Sequence, residues 1–141
     1  CIDNAIHSAA GLQLREECVA IMRAQGHEEP TGLAKITEGY NLPAKHVLHT
    51  IGPIISGPLT EEDRELLASC YRSCLALAEE KGLKSIAFCC ISTGVFHFPK
   101  EVAARIAVST VREYLKTGAI EKVIFCVHGE ENLQVYHKLL Y

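Results

Sequence analysis

Apolar positions along the chain follow two rhythms. Three runs are rich in β-branched, aromatic and other apolar residues: Lys45–Ile51 (KHVLHTI), Ser85–Ile91 (SIAFCCI) and Lys122–Val127 (KVIFCV). The last two are nearly continuous rather than alternating, a pattern suited to strands buried on both faces of a parallel sheet. Leu33–Thr37 is a weaker fourth strand. Between these runs the period lengthens to that of a helix. Over residues 12–24, Leu14, Cys18, Ile21 and Met22 recur at helical spacing and Gly26 ends the segment. Residues 61–81 follow Thr60, an N-cap with Asp63 three positions on, as in a capping box. Leu66, Leu67, Cys70, Cys74, Leu77 and Ala78 form its buried stripe, and Gly82 stops it. Residues 100–116 follow Pro99, which suits the first helical position, and Gly118 closes that helix. A last helix spans about Glu130–Leu140. At the other end the chain opens on a helix start, with Asp3 or Asn4 as its cap.

The resulting order is helix, strand, strand, helix, strand, helix, strand, helix, without repeat, low-complexity tract or linker. Such alternation predicts one α/β domain, with helices on both faces of a mainly parallel sheet. At 141 residues and 48% hydrophobic composition, the chain can bury a substantial core. A net charge of −3 offers no broad electrostatic surface for nucleic acid, so an anionic ligand must be held by local dipoles and amides. No apolar run reaches the roughly 20 residues needed to span a bilayer. Seven cysteines, an odd number, stand at 1, 18, 70, 74, 89, 90 and 126 with no disulfide-framework spacing. This predicts a reducing intracellular compartment, the cytoplasm. Cys89, Cys90 and Cys126 read as core thiols.

The most informative loop is Ser92-Thr93-Gly94-Val95-Phe96-His97-Phe98-Pro99. It leads from the C-terminal end of a strand into a helix N-terminus, where open α/β sheets bind ligands. Free amides and the positive end of the helix dipole favour phosphate there. Ser92 and Thr93 add hydroxyls, Gly94 permits close backbone approach, and Phe96 offers a flat wall. An ordinary strand-to-helix turn has a similar composition, so the loop alone leaves both readings open.

Three separated segments carry a family resemblance: CIDNAIHSAAG at the start, GLAKITEGYNLPAKHVLHTIGP at 32–53 and CISTGVFHFP at 90–99. In order and spacing they resemble a macrodomain, a family that binds ADP-ribose and of which many members hydrolyse it from protein side chains. The resemblance implies a three-layer α/β/α fold with a mixed, largely parallel sheet. It implies that the amides of Thr93, Gly94, Val95 and Phe96 surround the diphosphate and distal ribose. Asp3 would orient the attacking water, Asn4 a ribose hydroxyl. His97 joins the ligand loop. His128 stands where many relatives place an aromatic against adenine.

Cys1-Ile2-Asp3-Asn4, together with His97 where many relatives have Gly, most resembles the zinc-containing macrodomains. That likeness makes Cys1 the last of three zinc ligands, with the other two upstream. The matched part resembles the C-terminal two-thirds of a macrodomain, and further strands and an Asn-Ala-Asn loop are expected ahead of Cys1. The function expected is removal of mono-ADP-ribose from modified proteins, with no nucleic acid or membrane partner. One alternative is a module that reads ADP-ribose without hydrolysing it. Another is an N-terminal nucleophile hydrolase using Cys1. His7, His46 and His49 are read as structural.

Overall fold

The computed structural model describes residues 2–141. Helix α1 (Ile2–Ala10) and helix α2 (Leu12–Gln25) are followed by strands β1 (Ala34–Glu38) and β2 (His46–Thr50). Then come α3 (Glu61–Glu80), β3 (Ser85–Phe88), α4 (Lys100–Leu115), β4 (Lys122–Phe125) and α5 (Glu130–Leu140). Each strand and helix that the periodicity predicts is present. The strands are shorter than their apolar runs, because Cys89–Ile91 already belong to the ligand loop's approach.

Local chemistry explains the helix ends. Thr60 and Asp63 make the reciprocal capping box: the Asp63 amide donates to Thr60 Oγ1 (3.1 Å) and the Thr60 amide to Asp63 Oδ2 (3.0 Å). Gly26 takes the left-handed conformation (φ 77°) that ends α2. Two expectations shift by a residue or more. Pro99 is the N-cap of α4, not its first helical residue. Asp3 and Asn4 lie inside the first turn of α1, not at its cap.

The strands form two pairs. β1 and β2 are antiparallel, with Thr37 opposite Val47 and Lys35 opposite His49. β3 and β4 are parallel, with Phe88 opposite Phe125. The pairing is therefore mixed, with one antiparallel and one parallel ladder among the described residues.

Helix α3 joins the two pairs. Its Ser69 and Ser73 hydroxyls donate to the Gly32 carbonyl at 2.9 and 2.7 Å, and the Cys70 thiol to that of Ile51 at 3.4 Å. Tyr71 packs its ring 4.9 Å from that of Phe88 in β3. The core comprises Leu67, Tyr71, Leu75 and Ala78 of α3, Ile86 and Phe88 of β3, and Phe98 of the loop. From α4 it takes Ala103, Ala104, Ala107, Val108 and Val111. The three alanines let α3 and α4 approach closely.

Burial corrects the sequence in three places. β3 and β4 are covered on one face only: Ile86 and Phe88 point inward while Ser85, Ala87 and Ile124 are exposed. Cys126 continues that alternation and is exposed, not core, whereas Cys89 and Cys90 are partly buried against the core. In α2 only Leu14 of the predicted stripe is fully buried, and Met22 is exposed. That helix packs on α1 and β1, too narrow a surface to cover the whole stripe.

Two substitutions test this scaffold by thermal or denaturant unfolding. Leu75→Ala, at a position fully shut from solvent, is expected to cost about 2–5 kcal/mol. Thr60→Ala, which removes the cap acceptor, should cost about 1 kcal/mol.

Candidate functional site

The ligand loop is built by two left-handed residues and a buttress. Ser92 (φ 66°) and His97 (φ 62°) both occupy a region that non-glycine residues seldom adopt. Between them the chain turns tightly: the His97 amide donates to the Gly94 carbonyl (3.0 Å) and the Phe98 amide to that of Ser92 (2.9 Å). Phe98 is buried and anchors the exit of the loop. The loop following β2 supports it from the side, with the Ile55 amide donating to the Phe96 carbonyl at 2.8 Å.

These bonds consume carbonyls and leave amides. Among the hydrogen bonds of the described residues, none is donated by the amides of Thr93, Gly94, Val95 or Phe96. Four consecutive N–H groups without a protein acceptor, close to the N-terminus of α4, are donors of the kind an anion can take up. Gly94 and Val95 are exposed at the loop's tip, and a Cβ on Gly94 would meet nothing within 4 Å. The Thr93 hydroxyl is turned inward, donating to the Cys90 carbonyl at 3.2 Å. Ser92 Oγ is buried without a partner.

Gly52 explains how Ser92 is seated, and sequence reasoning missed it. A Cβ at Gly52 would stand 2.0 Å from Ser92 Oγ and 2.7 Å from Ile91 Cγ2. Only glycine lets the chain leaving β2 pass so close to the ligand loop. The available signal was the Gly-Pro that interrupts the apolar run after Thr50.

The other part of the site lies at the start of α1. Asp3 and Asn4 are exposed in its first turn. His7, one turn on, holds Nε2 3.7 Å from Asp3 Oδ1. Its ring is 6.4 Å from that of His49 on β2. His49 Nε2 in turn lies 3.0 Å from Thr37 Oγ1, and Thr37 is buried. Burial, and secondarily the neighbouring His7, lower the pKa of His49. His46 Nδ1 lies 3.3 Å from the Thr37 carbonyl and 3.9 Å from Glu38 Oε2. His46 and His49 thus both meet the buried Thr37, and His7 lies beside His49.

Strand β2 therefore meets both parts of the site. His49 faces the Asp3 helix, and Gly52, about 10 Å further along an extended chain, abuts Ser92. His97 is exposed on the ligand loop. His128 is exposed beyond β4, its carbonyl accepting from Asn132 Nδ2 at 3.0 Å. Cys1, the expected metal ligand, lies outside the described residues. Among the described residues no three His, Cys, Asp or Glu side chains converge as a metal site, and no helix is long and apolar enough to cross a membrane.

Residues 1–107 match the family described as Macro domain. A protein-ADP-ribose hydrolase of Treponema medium is 60% identical over 141 residues, which cover 99% of this chain and 54% of that protein. A protein-ADP-ribose hydrolase of Staphylococcus aureus (strain MRSA252) is 55% identical, covering 96% of this chain and 52% of its own length. The chain thus spans about half the length of these curated relatives. Among solved structures, the Oceanobacillus iheyensis macrodomain with ADP superposes with a TM-score of 0.93 at 38% identity, over 99% of this chain and 74% of that one. The Trypanosoma brucei macrodomain in complex with ADP-ribose gives 0.87 at 39% identity, over 100% of this chain and 57% of that one. By sequence and by fold, this chain belongs to the macro domain family.

Proposed function

We propose that the chain supplies the diphosphate cradle and the helix-start carboxylate of a protein-ADP-ribose hydrolase. The observation that carries this reading is the run of four unpaired amides from Thr93 to Phe96. Four donors in sequence beside a helix N-terminus match the oxygens of a diphosphate, with no cationic side chain required. This suits a protein whose net charge is −3. The names of its relatives, protein-ADP-ribose hydrolases at 55–60% identity, point to the same ligand.

In this reading the substrate is mono-ADP-ribose esterified to a protein side chain. Val95, Phe96 and His97 border the distal ribose, and His128 lies toward the adenine. Asn4 holds a ribose hydroxyl. The Asp3 carboxylate orients a water for attack at C1″. The new bond joins the water oxygen to C1″, the ester C1″–O bond breaks, and the side-chain carboxylate leaves. The water proton passes to Asp3.

Zinc belongs to the proposal only through Cys1. The described residues do not assemble a metal site without it, so no step above passes through a metal. The described cysteines are all free, with burial raising the Cys74 thiol to about 12. That supports a reducing, cytoplasmic setting.

Gly94→Ala is the sharpest test, because the added methyl meets nothing in the protein itself. Its stability should stay within about 0.5 kcal/mol of wild type. Its ADP-ribose affinity by calorimetry should fall about tenfold, because the added methyl stands where the diphosphate must approach the backbone. Gly94→Glu, which places a carboxylate in the cradle, should abolish binding; wild-type affinity in either variant would sink the reading. Asp3→Asn should keep affinity and lower hydrolysis of an ADP-ribosylated protein by about 10²-fold or more. Binding by the wild type with no turnover would instead identify a reader. Elemental analysis of the purified chain should show less than one zinc per molecule, whereas stoichiometric zinc that disappears in Cys1→Ser would establish the metal site.

A further inference from the structure

Thr37 is the one buried polar residue of the described core, and its hydroxyl has a single proton. That proton is donated to the Glu38 carbonyl at 3.1 Å. Toward His49 Nε2, 3.0 Å away, the hydroxyl can therefore only accept. That pattern assigns the His49 proton to Nε2, the tautomer in which the neutral ring leaves Nδ1 without one. The bond runs from the strand that carries His49 to its antiparallel partner, so the ring is held by the sheet rather than by its own backbone. His7, the nearest ring, belongs to the helix that presents Asp3 and Asn4. The far end of that helix is also tied to the β1–β2 hairpin, since the Asn41 amide donates to the Ala10 carbonyl at 3.2 Å.

We propose that His49 is a positioning residue: fixed by Thr37, it backs the His7 ring and thereby holds His7 beside Asp3 at the start of α1. The role rests on the reading that places Asp3 in the hydrolytic site. A sheet hydroxyl orients one imidazole, that imidazole braces a second, and the second lies beside the carboxylate. The other titratable or charged groups around His49 are Asp3 from α1, Glu17 from α2 and Lys35, its partner across the β1–β2 ladder.

The variants differ by single properties. Thr37→Val keeps the shape and removes the acceptor. His49→Phe keeps a ring and removes the donor. His49→Gln keeps an N–H at the Nε2 position and removes titration. Nitrogen-15 NMR of the wild-type chain should show His49 as the Nε2–H tautomer, with cross-peaks between the His7 and His49 rings. In Thr37→Val those cross-peaks should weaken and the His7 ring signals shift.

In hydrolysis assays run from pH 5 to 8, Thr37→Val and His49→Phe should lower kcat about tenfold. They should alter the acid limb of its pH profile and leave the ADP-ribose Kd within about twofold. His49→Gln should recover most of the rate. Stability supplies a signed check. The folded pKa of His49 lies below the ordinary 6.5, so between those two values the unfolded chain binds more protons. Stability is then full above about pH 6.5 and falls as pH drops below it, and His49→Gln should flatten that fall.

An Nδ1–H tautomer, or an unchanged kcat and pH profile in folded Thr37→Val and His49→Phe, would overturn the role. A wild-type chain that binds ADP-ribose but hydrolyses nothing would fail the hydrolase reading. The tautomer and the Thr37→Val ring shifts would then still decide whether Thr37 and His49 position His7.

Discussion

Helix α3 is the constraint on which the rest of the molecule depends. The two strand pairs share no ladder among the described residues, so their relative placement comes from the helix packed across both. Toward the first pair it uses side-chain donors to backbone carbonyls, Ser69 and Ser73 to Gly32 and Cys70 to Ile51. Toward the second it uses apolar area, with Tyr71 against Phe88 and Leu67, Leu75 and Ala78 in the common core. Directional bonds fix the hairpin's height along the helix, and dispersion and desolvation hold the parallel pair. The capping box at Thr60 and Asp63 fixes where this helix begins, and with it the length of the chain returning from β2.

That return path makes the site. Because the Cys70 thiol donates to the Ile51 carbonyl, the next residue, Gly52, is delivered against Ser92. Because Ile55 donates to Phe96, the ligand loop cannot relax into a longer, more ordinary turn. Two left-handed residues are held there by their neighbours, and the four amides between them donate no hydrogen bond among the described residues. The strain at Ser92 and His97 and the unpaired donors are two aspects of one arrangement. Backbone held away from its own acceptors remains available to a ligand's.

Much of this was legible in the amino-acid order. The period of apolar residues located the helices, and β-branched and aromatic runs located the strands. Thr60, Gly26 and Gly82 marked helix ends by chemistry that acts within a few residues. The Ser92–Phe96 loop could be singled out because its Ser-Thr-Gly composition sits between a strand and a helix. Continuity of apolar residues in SIAFCCI and KVIFCV suggested strands covered on both faces. Burial is decided by what packs on each face, and here Ala87, Ile124 and Cys126 face outward. The α2 stripe was overestimated for the same reason: a helix buries only as much of its apolar face as its neighbours cover.

The sequence by itself determined the elements, their order, the capping box at Thr60 and the place of the loop between β3 and α4, because each rests on interactions between residues close along the chain. Only the tertiary structure decided that Gly52 must be a glycine, that His7 and His49 lie side by side, and that Thr37 stands within hydrogen-bond distance of one of them. Those facts depend on segments far apart in sequence brought together by α3 and the β1–β2 hairpin. No local period or cap encodes a distance between them.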